Sequence, residues 1–353
     1  MKKQLCLYLS ALLLVSCGKT GVLPFVQHNT AFTEIKVDTL LTSTISIRAI
    51  LIDANKVWYA ANDGKYGYVT LNSNKVLESH IVMDPALPEF RSIAKTSKNI
   101  FIASVGNPGL VYRISNDGLK SDFVYREDNE KVFYDSMQFW NDKEGIAMGD
   151  PTSDCLSVII TRDGGSTWEK LDCSQLPKID AGEAAFAASN TNLVIKGNKT
   201  WMVSGGTRAR VFYSPDKGKT WQVYPTPIVQ GKTMTGIFTA DFYDSDNGII
   251  AGGDYEIPEQ NSGNKAITTD GGRTWKLIGE KQGFGYASCI QYVPNSNAKQ
   301  LVAVGTSGLY YSADSGVTWR QFSTVKDLYT IRFLNDSTAI AAGKNKIVRI
   351  IFK

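Results

Sequence analysis

The side chains of this 353-residue sequence that could do chemistry are carboxylates and guanidinium groups placed at recurring points. Arg48, Arg91, Asp135, Glu183 and Arg332 fall in the apolar stretches SIRAILID, FRSIAK, YDSMQF, GEAAFAAS and YTIRF, where small apolar residues would suffice. Asp150, Arg208, Arg210 and Asp254 follow Gly-rich strings. Guanidinium groups grip carboxylates bidentately, so the arginines suit a polar ligand or an extended peptide. Asp135 and Glu183 could serve as acid and nucleophile in glycoside hydrolysis, which in a retaining enzyme needs a separation of about 5–5.5 Å. Other chemistries are poorly supplied. His28 and His80 are the only histidines, and neither lies near a Cys or carboxylate cluster with ligand spacing, which speaks against a zinc site or a Ser-His-Asp triad. No C-x-x-C and no strand-turn-helix G-x-G-x-x-G is present. Neither a metal nor a cofactor is expected.

The elements that must position these groups are repeats. TRDGGSTWEK, SPDKGKTWQV, TTDGGRTWKL and SADSGVTWRQ share the pattern Ser/Thr-x-Asp-x-Gly-x-Thr-Trp, with aspartates at Asp163, Asp216, Asp270 and Asp314, so the period is 53, 54 and 44 residues. Periods of this size mark propeller or solenoid arrays, whose units cannot bury an apolar face alone. The intervening sequence alternates or runs apolar over short stretches such as SVIIT, ARVFYS and LVAVG, punctuated by Gly, Asn and Asp, which predicts strands and turns. Each motif position has a mechanical role. The Asp is expected to accept backbone N–H groups two residues on, and Gly165, Gly218, Gly272 and Gly316 supply the positive φ of a tight hairpin. Trp168, Trp221, Trp275 and Trp319 then open the next strand and bury their rings between neighbouring units.

This pattern resembles the Asp box, or BNR repeat, of sialidase-like propellers, in which the boxes sit on outer hairpins away from the central pocket. The resemblance implies an all-β propeller with Asp-box hairpins, and counting the units along the chain predicts a seven-bladed β-propeller. Four blades carry the boxes; SIRAILIDANKVWYAAND and FRSIAKTSKNIFIASVG open two more without a full one. YTIRFLNDSTAIAAGKNKIVRIIFK supplies three strands of the last blade, and FTEIKVDTL near residue 35 offers the fourth, closing the ring with the two ends of the chain. Six blades, the sialidase number, is the alternative, with the first unit an irregular segment. In either case the inner strands would line an axial channel, with Arg48, Arg91, Asp135, Glu183 and Arg332 on its wall and Asp150, Arg208, Arg210 and Asp254 at the same mouth.

GEAAFAAS at 182–189, TRARVFYSPDKGKTW at 207–221 and NGIIAGGDY at 247–255 resemble secreted bacterial propellers among the photosystem II assembly-factor-like family. Assembly factors of that kind bind a partner protein, whereas the oxidoreductase label often given to such chains finds no support in these residues. The resemblance therefore implies a protein- or ligand-binding module acting through the axial mouth. The enzymatic alternative is a sialidase-like glycoside hydrolase, with Arg48, Arg91 and Arg332 on a substrate carboxylate, Tyr134 or Tyr286 paired with Glu183, and Asp135 as acid/base. FRSI at 90–93 lacks the Pro of the sialidase F-R-I-P signature.

The N-terminus predicts where the chain goes. MKKQLCLYLSALLLVSC has two lysines, an apolar run too short to span a bilayer, and a lipobox-like end, so residues 1–16 are expected to be a lipoprotein signal peptide and Cys17 the lipidated residue. Residues 17–31 form the lipidated end and tether, and 32–353 a single propeller domain. Gly18, not Asp, follows the Cys, so an exported lipoprotein, periplasmic or surface-facing and in the outer membrane where one exists, is expected. Loss of Lys2 and Lys3 leaves 36 basic against 34 acidic side chains, a balance that favours neither nucleic acid nor a polybasic membrane patch. The expected partners are a protein or polar ligand of the cell envelope, with membrane contact through the lipid only and the chain monomeric. Of the cysteines left after processing, Cys289 reads as a buried free thiol. Pairing Thr161 with Thr167 across the first box hairpin makes facing positions add to about 328, which sets Cys155 opposite Cys173 at disulfide distance.

Overall fold

The structure, a computed structural model, describes residues 30–83 and 87–353. The expected signal peptide, Cys17 and nearly all of the tether lie outside the described residues. The described residues are all-β apart from one 3-10 turn, Cys173–Gln175. Its strands form antiparallel sheets arranged as a β-propeller.

Counted as hydrogen-bonded sheets, the blades number six, which corrects the expected seven. Four sheets have four strands each, and two have six. The discrepancy arises where the chain ends meet. Thr338–Phe352 pairs with Leu328–Phe333 and also with the first half of Ile35–Asp53, through Ile35↔Phe352, Val37↔Ile350 and Thr39↔Val348. The second half of Ile35–Asp53 pairs onward with Lys56–Ala61. The units expected as first and last thus share one six-stranded sheet that also contains Lys65–Thr70 and Val76–His80. TLLTSTISIRAILID contains no Gly or Pro to interrupt it, so the strand runs on from one unit into the next. The first unit is regular, so six is reached by fusion of units and not by loss of one.

The repeated hairpins are built alike. The first Ser/Thr hydroxyl accepts the N–H of the Gly four residues on, at 2.8 Å in Thr161–Gly165 and Ser214–Gly218 and at 2.9 Å in Thr268–Gly272 and Ser312–Gly316. The Asp carboxylate accepts the N–H and O–H of the Thr four residues on, the N–H contacts being 3.0, 2.8, 2.9 and 2.8 Å at Asp163, Asp216, Asp270 and Asp314. The reach is therefore four residues, twice that expected. Burial works against ionisation of these carboxyls, but the Thr donors outweigh it and hold them below the usual range, Asp270 at about 2. The four glycines have φ between 77° and 87°. Trp221, Trp275 and Trp319 donate their indole N–H to the carbonyl of their own Gly, whereas Trp168 lies edge-on to Phe101 and Phe139.

The cores lie between adjacent sheets. Ala49 and Trp58 of one sheet meet Ile93 and Ile102 of the next, and Ile249 and Ala251 meet Ile290, Leu301 and Ala303. Each fully buried Ile or Leu contributes roughly 1.5–3 kcal/mol, so the ring is held by repetition of modest interfaces.

Cys155 and Cys173 are joined by a disulfide with a Cα–Cα distance of 5.5 Å. The ladder beside it pairs Ile159↔Lys170 and Ile160↔Glu169, one residue out of the register counted from the threonines. The bond closes beyond the ladder, where the 3-10 turn capped by Asp172 redirects the chain at Cys173.

Candidate functional site

The inner strands do not enclose an open channel. Residues 185–192, AFAASNTN, leave the Glu183–Ala184 strand and hydrogen-bond to inner strands around the ring. Asn190 Nδ2 donates to Ile93 O at 2.9 Å, and its Oδ1 accepts the Met137 N–H at 3.0 Å. Ser189 donates to Ser288 O, and its own carbonyl accepts from Thr330 and Arg332. Thr191 Oγ1 lies 2.7 Å from Thr239 Oγ1, and Arg48 Nη1 donates to Ala188 O at 3.4 Å. A segment that meets strands of so many sheets must run across the axis. Ala185, Ala187, Ala188 and Ser189 are buried there, and only small side chains fit such a crossing.

The crossing segment divides the axis into two ends. On one side lies a cavity of about 420 Å³ lined by Arg48, Arg91, Phe133 and Asp150, by Ala184 and residues 185–188 of the crossing segment, and by Thr233, Met234, Phe238, Tyr255 and Tyr286. Arg48 lies over the Tyr329 ring at 4.4 Å, and apart from the long contact to Ala188 its guanidinium has no acceptor among the described residues. Arg91 gives its Nε–H to Glu89 at 2.7 Å and sits 5.6 Å from the Phe133 ring; its terminal nitrogens likewise lack an acceptor among the described residues. Two half-buried guanidinium groups with unused donors therefore border one cavity.

Two carboxyls lie beside them. Asp150 lines the cavity and anchors the crossing segment by accepting the Ala185 N–H at 2.9 Å. Burial pushes it up to about 6, against the pull of that N–H. Asp135 is fully buried, and neither of its oxygens has a hydrogen-bond partner among the described residues. Burial drives its carboxyl well above the usual range, the Asp150 charge adds to this, and Arg91 opposes it.

The remaining charges expected at this mouth are placed elsewhere or already engaged. Glu183 is buried and receives Arg210, the Ser204 hydroxyl and the Asp180 N–H. It does not line the cavity, so Asp135 and Glu183 do not face a common substrate space. Arg208 pairs with Asp180 at 2.7 Å, and Asp254 pairs with Lys232 at 3.4 Å while accepting the Glu256 and Ile257 N–H groups. Arg332 belongs to the opposite end of the axis. Its strand neighbour Tyr329 meets Arg48, but Arg332 lies three residues further, roughly 10 Å along a strand, beside a recess of about 370 Å³ with Lys95, Met137 and Phe139. Its donors go to Thr330, Ile331, Ser189 and Asn190. Tyr134 is buried against Glu127, away from the cavity, whereas Tyr286 is on its wall. His80 lies in an outer strand 3.6 Å from Glu78, and Cys289 is buried with Arg332 at 3.5 Å. Among the described residues no group of three or more His, Cys, Asp or Glu is placed to hold a metal ion.

The aromatic wall was not foreseen. Phe186 and Phe238 stack in parallel at 3.9 Å, and Tyr286 stands edge-on to Phe238 at 4.8 Å and to Tyr255 at 5.1 Å. The one signal available was Phe186 itself, a lone large ring in the small-residue run GEAAFAAS.

No protein-family model matches the chain, and no curated protein does. Solved structures do share the fold. YCF48 bound to a D1 peptide superposes with a TM-score of 0.62 at 14% identity, over 92% of this chain and 98% of that one. YCF48 from Cyanidioschyzon merolae gives 0.64 at 13% identity, over 90% and 98%. A GH74 xyloglucanase from Xanthomonas campestris gives 0.64 at 11% identity, over 89% of this chain and 53% of the enzyme. Identities this low show the β-propeller fold and nothing finer.

Proposed function

We propose that this propeller is a protein-binding module of the cell envelope, anchored through a lipid on Cys17, and that it captures a carboxylate-bearing segment of its partner in the axial cavity. The observation that carries the reading is the unused donor capacity of Arg48 and Arg91. A guanidinium removed from water normally has its N–H groups satisfied, as those of Arg210 and Arg332 are. Arg48 and Arg91, half-buried on the wall of one cavity and, apart from the long Ala188 contact, without an acceptor for their terminal nitrogens among the described residues, suit a bidentate acceptor supplied from outside. The likeness to YCF48, solved with a bound peptide, is consistent with this at the level of fold. The hydrolase alternative is not retained, because Glu183 is committed to Arg210 and neither Asp135 nor Glu183 lines the cavity.

The test is crosslinking capture from native envelope with wild type and with Arg48→Ala/Arg91→Ala. Both arginines lie at the cavity surface, so the double variant should keep its melting temperature within a few degrees and lose most of the captured partner. Unchanged capture would overturn the reading. Metabolic fatty-acid labelling that is absent from Cys17→Ser checks the anchor.

A further inference from the structure

We infer that the segment captured by the axial cavity presents an aromatic side chain next to a carboxylate. This rests on the reading of the cavity as the capture site and goes further by naming what is captured. The cavity has two chemically distinct halves. Arg48 and Arg91 form one, with guanidinium N–H groups that lack acceptors among the described residues. Phe186, Phe238, Tyr255 and Tyr286 form the other, in parallel and edge-to-face contact with one another. Phe186, Phe238, Tyr286 and Ala188 make an apolar cluster separate from those between the sheets, so the rings serve the cavity and are not part of the blade cores.

Two of these rings are open, while Phe238 and Tyr286 are buried behind them. Phe186 is only half-buried, and Tyr255 is 43% exposed. Open aromatic faces and edges favour another ring over an aliphatic chain, because the ring quadrupoles attract beyond what the covered area supplies. The arginines select the charge. They attract a carboxylate and repel Lys or Arg, and Asp150, the one carboxyl among the described wall residues, already accepts the Ala185 N–H. At about 420 Å³ the space suits one aromatic residue and its acidic neighbour, not a folded element.

Random hexapeptides displayed on phage, panned on the immobilised full chain with Arg48→Ala/Arg91→Ala as the counter-target, test this. Peptides enriched on wild type should carry Phe, Tyr or Trp within two positions of Asp or Glu. In solution, the dye-labelled probe acetyl-Gly-Asp-Phe-Asp-Gly-Gly should bind at least tenfold more tightly than its Phe→Ala or its double Asp→Asn version. On the Tyr255→Ala protein the preference for Phe over Ala should shrink severalfold while the preference for Asp persists. No enrichment over the counter-target, enrichment of basic peptides, or equal binding of the Phe and Ala probes would overturn the inference. If the Ala probe binds equally well and envelope capture still requires Arg48 and Arg91, only the aromatic selection falls. If neither depends on the arginines, the capture reading falls with it.

Discussion

The Glu183 carboxylate, shut away from solvent, holds the Arg210 guanidinium through two nitrogens, with Nε at 3.0 Å from Oε1 and Nη2 on Oε2. A residue that could have been read as a nucleophile is thus the inner half of a structural ion pair. Removing one partner of such a pair strands the other charge in the interior, which costs about 3–5 kcal/mol. Arg210→Ala should therefore lower unfolding free energy by that order in a denaturant titration. Glu183→Gln, which keeps an acceptor for Ser204 and removes the charge, should cost less. Neither change should reduce partner capture by the folded protein.

Asn190 ties the crossing segment to two inner strands, and its backbone is left-handed with φ 58°. Asn tolerates that region better than most residues because its short side chain bonds locally. In Asn190→Ala the Ile93 carbonyl and the Met137 N–H would both lose their partner, each at about 1–3 kcal/mol. The expected outcome is a lowered melting temperature together with faster hydrogen exchange at Met137, readable by mass spectrometry.

Asp150 makes stability depend on pH in a direction opposite to the hairpin aspartates. Its folded carboxyl is pushed up to about 6, above the ordinary value of 3.8, so the folded chain binds more protons than the unfolded chain between these values. Stability contributed by this group is present at low pH and is lost as pH rises from about 4 through 6. Asp135 is raised in the same sense. Asp150→Asn keeps an oxygen for the Ala185 N–H and removes the titration. Melting temperatures measured from pH 4.5 to 8 should fall less steeply with pH for the variant than for wild type, and an identical slope would contradict this account.

The disulfide closes a separation of 18 residues. In the chain-entropy model a loop of this size contributes about 3 kcal/mol, and the sheet that already restrains both strands should reduce the measured gain. Cys155→Ser/Cys173→Ser should lower stability by up to that amount. Peptide mapping of unreduced protein should recover the two cysteines crosslinked, and recovery of both as alkylated thiols would refute the bond.

What the sequence by itself determined is local. The hairpin motif was legible because every contact of Asp163, Gly165 and Thr167 with its own motif spans at most four residues, and the strand pattern followed from alternation over short windows. Even the meeting of Ile35 with Phe352 could be read, since the last unit lacked a strand that the first residues could supply. The hairpin register missed by one, because the ladder between Ile160 and Glu169 depends on how the turn residues are shared out. Tertiary structure alone decided the rest. Whether two units share one sheet depends on hydrogen bonds between the two ends of the chain, and no local pattern records whether Ile35–Asp53 continues or breaks at the join. Arg48 and Arg332 have the same residue type and the same kind of strand, but a three-residue offset along the axis puts them at opposite ends. The crossing of AFAASNTN and the wall of Phe186, Phe238, Tyr255 and Tyr286 arise from residues brought together across different sheets. That convergence is a property of ring closure, which no window of the chain contains.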